Sequence, residues 1–321
     1  MKETFRQEIQ RLLLGSQAPA SRDYLALDQL PAAEAEGVLA VWNQAPVVRR
    51  RKVVQALVEL AEESVEVDFG AFFRLILNDP DAQVRQWAIE GLWEDEDTRL
   101  IPRLIDLLQN DPAEAVRAAA AISLARFVFL GEMEYVRPRL VASLHEALLA
   151  VIRNPAETVE VRRRALEALA FADRAETPAL IEAAYHDENE DMRLSAVFAM
   201  GRTCDPAWTE TVISELASPS PAMRFEAARA CGEIEAEEAL PALIRHLEDQ
   251  DRQVREMVIW ALGEIGGKAA RRALQGCLKD PDPGIREAAA EALAELEFKE
   301  SASLVPRLDL GLFLAPDDEA G

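Results

Sequence analysis

The sequence is built from a repeat with a period of about 31 residues. Each copy has a turn rich in Asp and Pro, then an apolar residue, an arginine, and apolar residues three, four and seven positions after that arginine. A fixed period of this length indicates stacked supersecondary units rather than two ordinary domains. The copies occupy residues 79–92, 111–124, 159–169, 187–200, 220–231, 249–262 and 280–293, with a degenerate earlier copy at 47–57.

One arginine in each copy marks the register of the repeat. The separations between successive arginines are 32, 45, 31, 31, 31 and 31 residues. The long interval contains residues 127–155, which we interpret as a lengthened hairpin with a break at Gly131, while a functional loop remains the alternative. The marker arginines are Arg85, Arg117, Arg162, Arg193, Arg224, Arg255 and Arg286.

The apolar spacing after each arginine is one face of an α-helix. The residue three positions after the arginine is alanine in every copy but one, where it is Val258, and this predicts a close approach between helices. A second periodic segment precedes each of these helices, as at 98–110 and 237–249. Each repeat is therefore predicted to be a helical hairpin with an Asp-Pro or Pro-rich turn.

This pattern resembles HEAT repeats, particularly the short phycobilisome-lyase-like type. The resemblance covers roughly residues 65–298, with a weaker copy over 28–64. It implies an all-α, right-handed α-solenoid whose first helices form the convex side and whose second helices line the concave side. It also implies that the turn Asp and the marker arginine form a structural ladder between neighbouring repeats.

The predicted domain organisation follows from the extent of the repeats. Residues 1–27 are expected to form an amphipathic helix and a linker that cap one end, with Phe5, Ile9, Leu12 and Leu13 on one face. Residues 28–298 form the solenoid of about eight hairpins. Residues 299–321 form a tail that either caps the last repeat or docks on a partner.

Charge and composition limit the classes of partner. The net charge of −23 and the pI of about 4.6 disfavour nucleic acid, because phosphate binding relies on Lys and Arg. The sequence has neither a signal peptide nor an apolar run long enough to cross a bilayer. Its three cysteines show no paired spacing, so we expect reduced thiols and a cytoplasmic protein.

No motif for catalysis, metal binding or a cofactor is present in the sequence. The three histidines, His145, His186 and His246, occupy unrelated repeat positions. His145-Glu146 is similar to the His-Glu pairs of deoxyhypusine hydroxylase, a HEAT-type enzyme, but one pair cannot supply the iron site of that class. Cys231 takes an apolar repeat position and is predicted to be buried, whereas Cys204 is placed in an exposed turn.

The second helices offer the candidate binding surface. Residues one, two, five and nine positions after the marker arginine should lie away from the packed face. In the middle repeats these are Leu194, Phe198, Arg202, Phe225, Arg229, Met257 and Trp260. Two interpretations remain open: these side chains line a groove for a protein or peptide, or they pack against neighbouring repeats.

The function predicted from the sequence is that of a non-enzymatic binding scaffold. The partner is expected to be a protein or peptide, bound on the concave face. The alternative is a phycobilin lyase-like or lyase-accessory protein acting on a tetrapyrrole-bearing client, although no residue set in the chain matches a lyase site. The sequence does not predict an oligomeric state.

Overall fold

The computed structural model describes residues 3–304, and within that range the regular structure is entirely helical. The chain divides into two compact units, Met1–Ala199 and Met200–Gly321. The helical hairpins predicted from the repeat are present in both. The fold is an α-solenoid.

The first unit contains the N-terminal helices and the first hairpins. The final helix of this group continues past the boundary between the units. Its helices are α1 (Glu3–Leu14), α2 (Ser21–Tyr24), α3 (Ala35–Trp42), α4 (Val47–Glu63), α5 (Gly70–Ile76), α6 (Ala82–Glu90), α7 (Ile101–Asn110), α8 (Glu114–Glu132), α9 (Pro138–Ile152), α10 (Val159–Leu169), α11 (Thr177–Tyr185) and α12 (Glu190–Arg202).

The second unit contains the last three hairpins. Short 3-10 segments precede the first helix in two of them, as they do at two places in the first unit. The helices are α13 (Thr209–Glu215), α14 (Pro221–Glu233), α15 (Leu240–His246), α16 (Arg252–Ile265), α17 (Gly267–Cys277) and α18 (Pro283–Leu304). The 3-10 segments are Leu25–Leu27, Thr98–Leu100, Pro206–Trp208 and Glu237–Ala239.

Successive second helices pack directly against one another within each unit. The series is α4, α6, α8 and α10 in the first unit and α14, α16 and α18 in the second. The residue three positions after the marker arginine is fully buried in all seven repeats, which confirms the predicted close approach. These residues are Ala88, Ala120, Ala165, Ala196, Ala227, Val258 and Ala289.

Glycines eight positions after the arginine tighten the same contacts in the second unit. A Cβ added to Gly232 would lie 2.9 Å from Ala261 Cα and 2.8 Å from Trp260 Cζ3. At Gly201 it would lie 2.8 Å from Ala230 Cα. These glycines are therefore required for close helix packing rather than for a turn.

In five of the seven hairpins a turn Asp organises the start of the second helix. Asp249 Oδ1 accepts a hydrogen bond of 2.9 Å from the backbone N–H of Asp251, and the Asp251 carboxylate in turn caps α16. The marker arginine then donates to a carbonyl six residues earlier, as Arg85 does to Asp79 at 2.7 Å. Sequence-local bonds thus set the angle at which each helix begins.

The same Asp receives the marker arginine of the preceding repeat. Arg85 forms two hydrogen bonds of 2.7 and 2.8 Å to Asp111, and Arg224 forms two of 2.8 Å each to Asp249. Glu157 takes this role for Arg117. These bidentate pairs connect adjacent hairpins through largely buried charges.

The remaining marker arginines make weaker or purely local contacts. Arg255 lies 3.9 Å from Asp280 and 3.8 Å from Asp282. The others donate to backbone carbonyls: Arg162 to Ile152, Arg193 to Asp187 and Glu188, and Arg286 to Asp280 and Pro281.

The insertion at 127–155 is a lengthened hairpin, and it contains no break at Gly131. Helix α8 runs through Gly131 to Glu132 and is followed after a short turn by α9. A Cβ at Gly131 would lie 3.0 Å from Val141 Cγ2, so this glycine allows α9 to approach α8. The chain reverses only at Glu134, which has a φ of 63°.

The two ends of the array differ from the sequence-based boundaries in one respect. Helix α1 buries Ile9, Leu12 and Leu13 and packs on α3 and α4, and its role as a cap stays a prediction. At the other end α18 continues to Leu304, so the boundary expected at residue 298 falls inside a helix. Residues 305–321 of the proposed tail lie outside the described residues.

Replacing Gly232 by alanine should destabilise the second unit. The new methyl group meets the backbone of Ala261, and overpacking of this kind lowers the free energy of unfolding by about 1–3 kcal/mol. Urea denaturation followed by circular dichroism measures the change. Gly276→Ala is the matched control, since nothing lies within 4 Å of a Cβ at that position of α17. Equal effects of the two substitutions would contradict the packing argument.

Removing the arginine of a buried ladder pair should also lower the free energy of unfolding. Arg224→Leu removes the bidentate guanidinium from the Asp249 carboxylate, which is only 5% exposed and keeps only its contact with His246 among side chains, and we expect the free energy of unfolding to fall by about 3 kcal/mol. Arg99→Leu is the control, because the Arg99 side chain is 84% exposed and its ion pair with Asp97 should contribute little. An Arg224→Leu protein as stable as the wild type would show that the ladder is dispensable.

Candidate interaction surfaces

Trp260 is the most exposed of the seven side chains predicted to bind a partner. It lies on α16 with 38% of its surface exposed and forms one wall of a groove between α16 and α18. The groove has a volume of about 560 Å³. Ile259, Gly263, Ala288 and Ala292 line it, so small and aliphatic groups lie beside the indole.

Carboxylates surround this groove. Glu256 and Glu264 are paired with Arg252 and Lys299 at 2.9 and 2.7 Å. Glu291 and Glu295 also line the groove, and neither has an ion-pair partner among residues 3–304. The surface thus combines an exposed aromatic ring with two carboxylates that the described residues do not neutralise.

Arg229 differs from the expectation that it is exposed. Its side chain is buried, at 7% exposure, and its guanidinium contacts Glu226 at 2.7 Å and Glu233 at 2.6 Å. Arg202 reaches the same Glu233 carboxylate at 3.1 Å. Burial raises the pKa of Glu233, while Arg229 and Arg202 act in the opposite direction. Both arginines thus belong to an internal charge cluster.

The other four predicted contact residues are half-buried. Leu194 and Phe198 lie on α12, Phe225 lies on α14 and Met257 lies on α16. Each unit therefore exposes part of this apolar surface, and the remainder packs internally. Internal packing applies to Arg229 and in part to these four residues, whereas a groove for a partner stays a prediction.

A second groove lies in the first unit, between α6 and α8. Trp93 and Ile122 form its rim, with 55% and 52% of their surfaces exposed, and Arg126 lines it. Ile122 and Arg126 are five and nine positions after Arg117, so the positional rule used for the middle repeats also selects them. The sequence-based prediction omitted them because it named candidate residues only in the middle repeats.

The described residues contain no group of three or more His, Cys, Asp or Glu side chains suited to a metal ion. Cys231 is buried, as predicted, and burial raises the pKa of its thiol to about 12. Cys204 lies exposed in its turn, also as predicted. Because its pKa is so high, the Cys231 thiol is not an activated nucleophile at neutral pH.

The sequence matches a known family over most of its repeats. A family model described as HEAT repeats matches residues 71–159, 177–252 and 209–294. The chain therefore belongs to the HEAT-repeat proteins. No protein with a curated description matches the sequence.

Similar solved structures come from the same broad class of helical repeats. Yeast importin-beta (Kap95p) is 13% identical with a TM-score of 0.54, over 92% of this chain and 46% of that chain. The Kap95:Nup1 complex gives 14% identity and a TM-score of 0.51, over 94% and 47%. Human deoxyhypusine hydroxylase in complex with glycerol is 20% identical with a TM-score of 0.36, over 92% and 98%. At these identities the likeness to importin-beta concerns the fold alone.

A search of the described helices for a long, apolar, nearly uncharged stretch able to cross a membrane found none.

His145 should make stability depend on pH near neutrality. It is 3% exposed on α9, and neither ring nitrogen has a hydrogen-bond partner in the described part of the chain. Burial lowers its pKa, and Arg174 adds to the effect. Protonation of His145 is therefore less favourable in the folded protein than in the unfolded chain, where a histidine becomes protonated below about pH 6.5.

We expect the free energy of unfolding to fall between pH 7.5 and 5.5, by at most about 1.4 kcal/mol per pH unit from this group. His145→Leu, which removes the titrating group from α9, should flatten the dependence in denaturation measured across that range. His186→Leu, at an exposed position, should keep the wild-type slope. An unchanged slope in His145→Leu would assign the dependence to other groups.

Proposed function

We propose that the protein is a non-enzymatic scaffold that binds a protein or peptide on the surface formed by its second helices. The proposal is carried by one observation, the exposed Trp260 beside the groove between α16 and α18. A large aromatic ring left partly exposed beside a groove is typical of interface hot spots. A cytoplasmic location is part of the proposal.

The chemistry of the groove indicates the kind of segment it accepts. An aliphatic side chain fits against Ile259, Gly263 and Ala292, and a cationic side chain fits over Trp260 beside Glu291 or Glu295. The segment we propose is therefore an apolar residue next to Lys or Arg. Such a segment is also complementary to the net charge of −23.

In this proposal the remaining predicted residues contribute either directly to the binding surface or indirectly through helix stability. Phe225 and Met257 contribute their exposed parts to the second-unit surface, and Leu194 and Phe198 do so in the first unit. Arg202 and Arg229 act indirectly, because their contacts with Glu233 stabilise α14 from within. The bilin-lyase alternative has no residue set to support it and enters only as an outcome of the experiment.

The test is an affinity pull-down from the native cytoplasm with wild-type protein, Trp260→Ala and Glu291→Lys/Glu295→Lys. We expect both variants to lose at least one protein that the wild type recovers, by mass spectrometry, because the first removes the aromatic wall and the second repels a cation. Phe298→Ala removes an exposed aromatic ring of the same unit that does not line the groove, and it should behave as the wild type.

Folding of each variant is checked by its urea midpoint. Recovery of the same proteins by folded wild type and both variants would refute the proposed surface. A recovered client with bilin absorption in visible light, bound equally by all variants, would favour the lyase-like alternative.

A further inference from the structure

The groove between α6 and α8 contains a cation, Arg126, that has no carboxylate partner among residues 3–304. Arg126 is half-buried, and its Nη1 donates to the Leu92 carbonyl at 3.0 Å. Its Nε and Nη2 have no hydrogen-bond partner among the described residues, and neither does the nearby Ser123 hydroxyl. Burial lowers the pKa of Arg126, as expected where water solvates the charge poorly.

The neighbouring carboxylates do not neutralise Arg126. Asp95 lies near enough to influence it but is bonded to Arg74 at 2.5 Å. Glu96 also acts on it from a distance, and no salt bridge joins the two in residues 3–304. A poorly solvated guanidinium without a counterion is costly, and a ligand carboxylate relieves that cost.

The groove continues from this cation to an apolar and then an acidic section. Trp93 and Ile122 border the first part, which has a volume of about 210 Å³. Beyond Ile122 the groove continues along α8 past Ala118 to Ala115, where Glu114 lines it. Glu114 is exposed and has no ion-pair partner in the described range. One groove thus presents Arg126 at one end, apolar surface beside Glu90 in its middle, and Glu114 at the other end.

We infer that this groove binds an extended segment of a partner protein in which an acidic residue, an apolar residue and a basic residue occur in that order along the groove. The acidic side chain pairs with Arg126 and Ser123, the apolar side chain lies between Trp93 and Ile122, and the basic side chain faces Glu114. The unpartnered nitrogens of Arg126 and the Ser123 hydroxyl are buried in the free protein, so this pairing requires both side chains to rotate toward the ligand.

The helical rise sets the spacing of this segment. Ile122 precedes Arg126 by four residues and Ala115 precedes it by eleven, which correspond to about 6 Å and about 17 Å along the helix. An extended chain advances about 3.3 Å per residue. The apolar residue should therefore lie about two positions from the acidic residue, and the basic residue about five positions from it.

This surface is separate from that of Trp260, and the inference does not depend on the function proposed above. The test uses a fluorescein-labelled peptide containing Glu-Ser-Leu-Ser-Ser-Lys, and the same residues in reverse order, with binding to the full-length chain measured by fluorescence anisotropy. We expect saturable binding in one direction. Replacing the Glu of the peptide by Gln should weaken it roughly 10- to 100-fold.

Substitutions in the groove test which side chains contact the peptide. In Arg126→Met the Glu and Gln peptides should bind equally, whereas Arg126→Lys should retain part of the preference for Glu. Ile122→Ser should weaken both peptides while leaving the Arg126–Leu92 contact in place. Arg139→Met, at an exposed arginine of α9 outside the groove, and Trp260→Ala should both bind as the wild type does.

Three results would overturn the inference. The first is the absence of saturable binding by either peptide direction. The second is an undiminished preference for Glu over Gln in Arg126→Met, provided that its unfolding midpoint shows a folded protein. In the third, a synthetic peptide of residues 305–321 displaces the labelled probe as effectively as the unlabelled probe does. This result would assign the groove to the C-terminal segment of the chain itself.

Discussion

The close approach of successive second helices is the constraint on which the rest of the structure depends. It requires a small residue at one position of every repeat, and Val258 is the only branched side chain found there. Because the backbones lie so near one another, the turn Asp of one hairpin comes within reach of the arginine of the preceding hairpin. Wider spacing would leave those charges buried and unpaired, so the apolar packing and the ion pairs of the ladder are coupled.

The helical hairpins and the buried small residues were predictable from the sequence because periodicity reports directly on which helix face is packed. The sequence predicted less well which side chains are exposed at helix positions outside the packed face. Arg229 and Trp260 both lie five positions after a marker arginine, yet the first is buried and the second is exposed. Their difference arises from Glu226 and Glu233, which surround one guanidinium, and a repeat pattern contains no information about such pairing.

The chemistry of each groove between successive second helices is determined by the few helix positions that do not pack against a neighbouring helix. In the first unit they contribute Ile122 and Arg126 to one groove, and in the second they contribute Trp260, Glu291 and Glu295 to another. The backbone geometry is shared, so the two grooves differ mainly in charge and in the position of their tryptophan, which follows α6 in one groove and lies on α16 in the other. A repeat scaffold can therefore present chemically different surfaces without any change in fold.

The ladder also gives the array a direction. In the complete turn-Asp pairs, Arg85–Asp111 and Arg224–Asp249, the turn Asp of one hairpin accepts the arginine of the preceding hairpin, so the contact runs in the same direction along the chain. Asp79 has received Arg50 at the start of the series, whereas Arg286 at its end contacts only backbone carbonyls among the described residues. The two ends are thus chemically unequal, as in a head-to-tail polymer. A duplicated hairpin inserted in register would bring its own donor and acceptor, which allows an array of this kind to lengthen during evolution without any new contact.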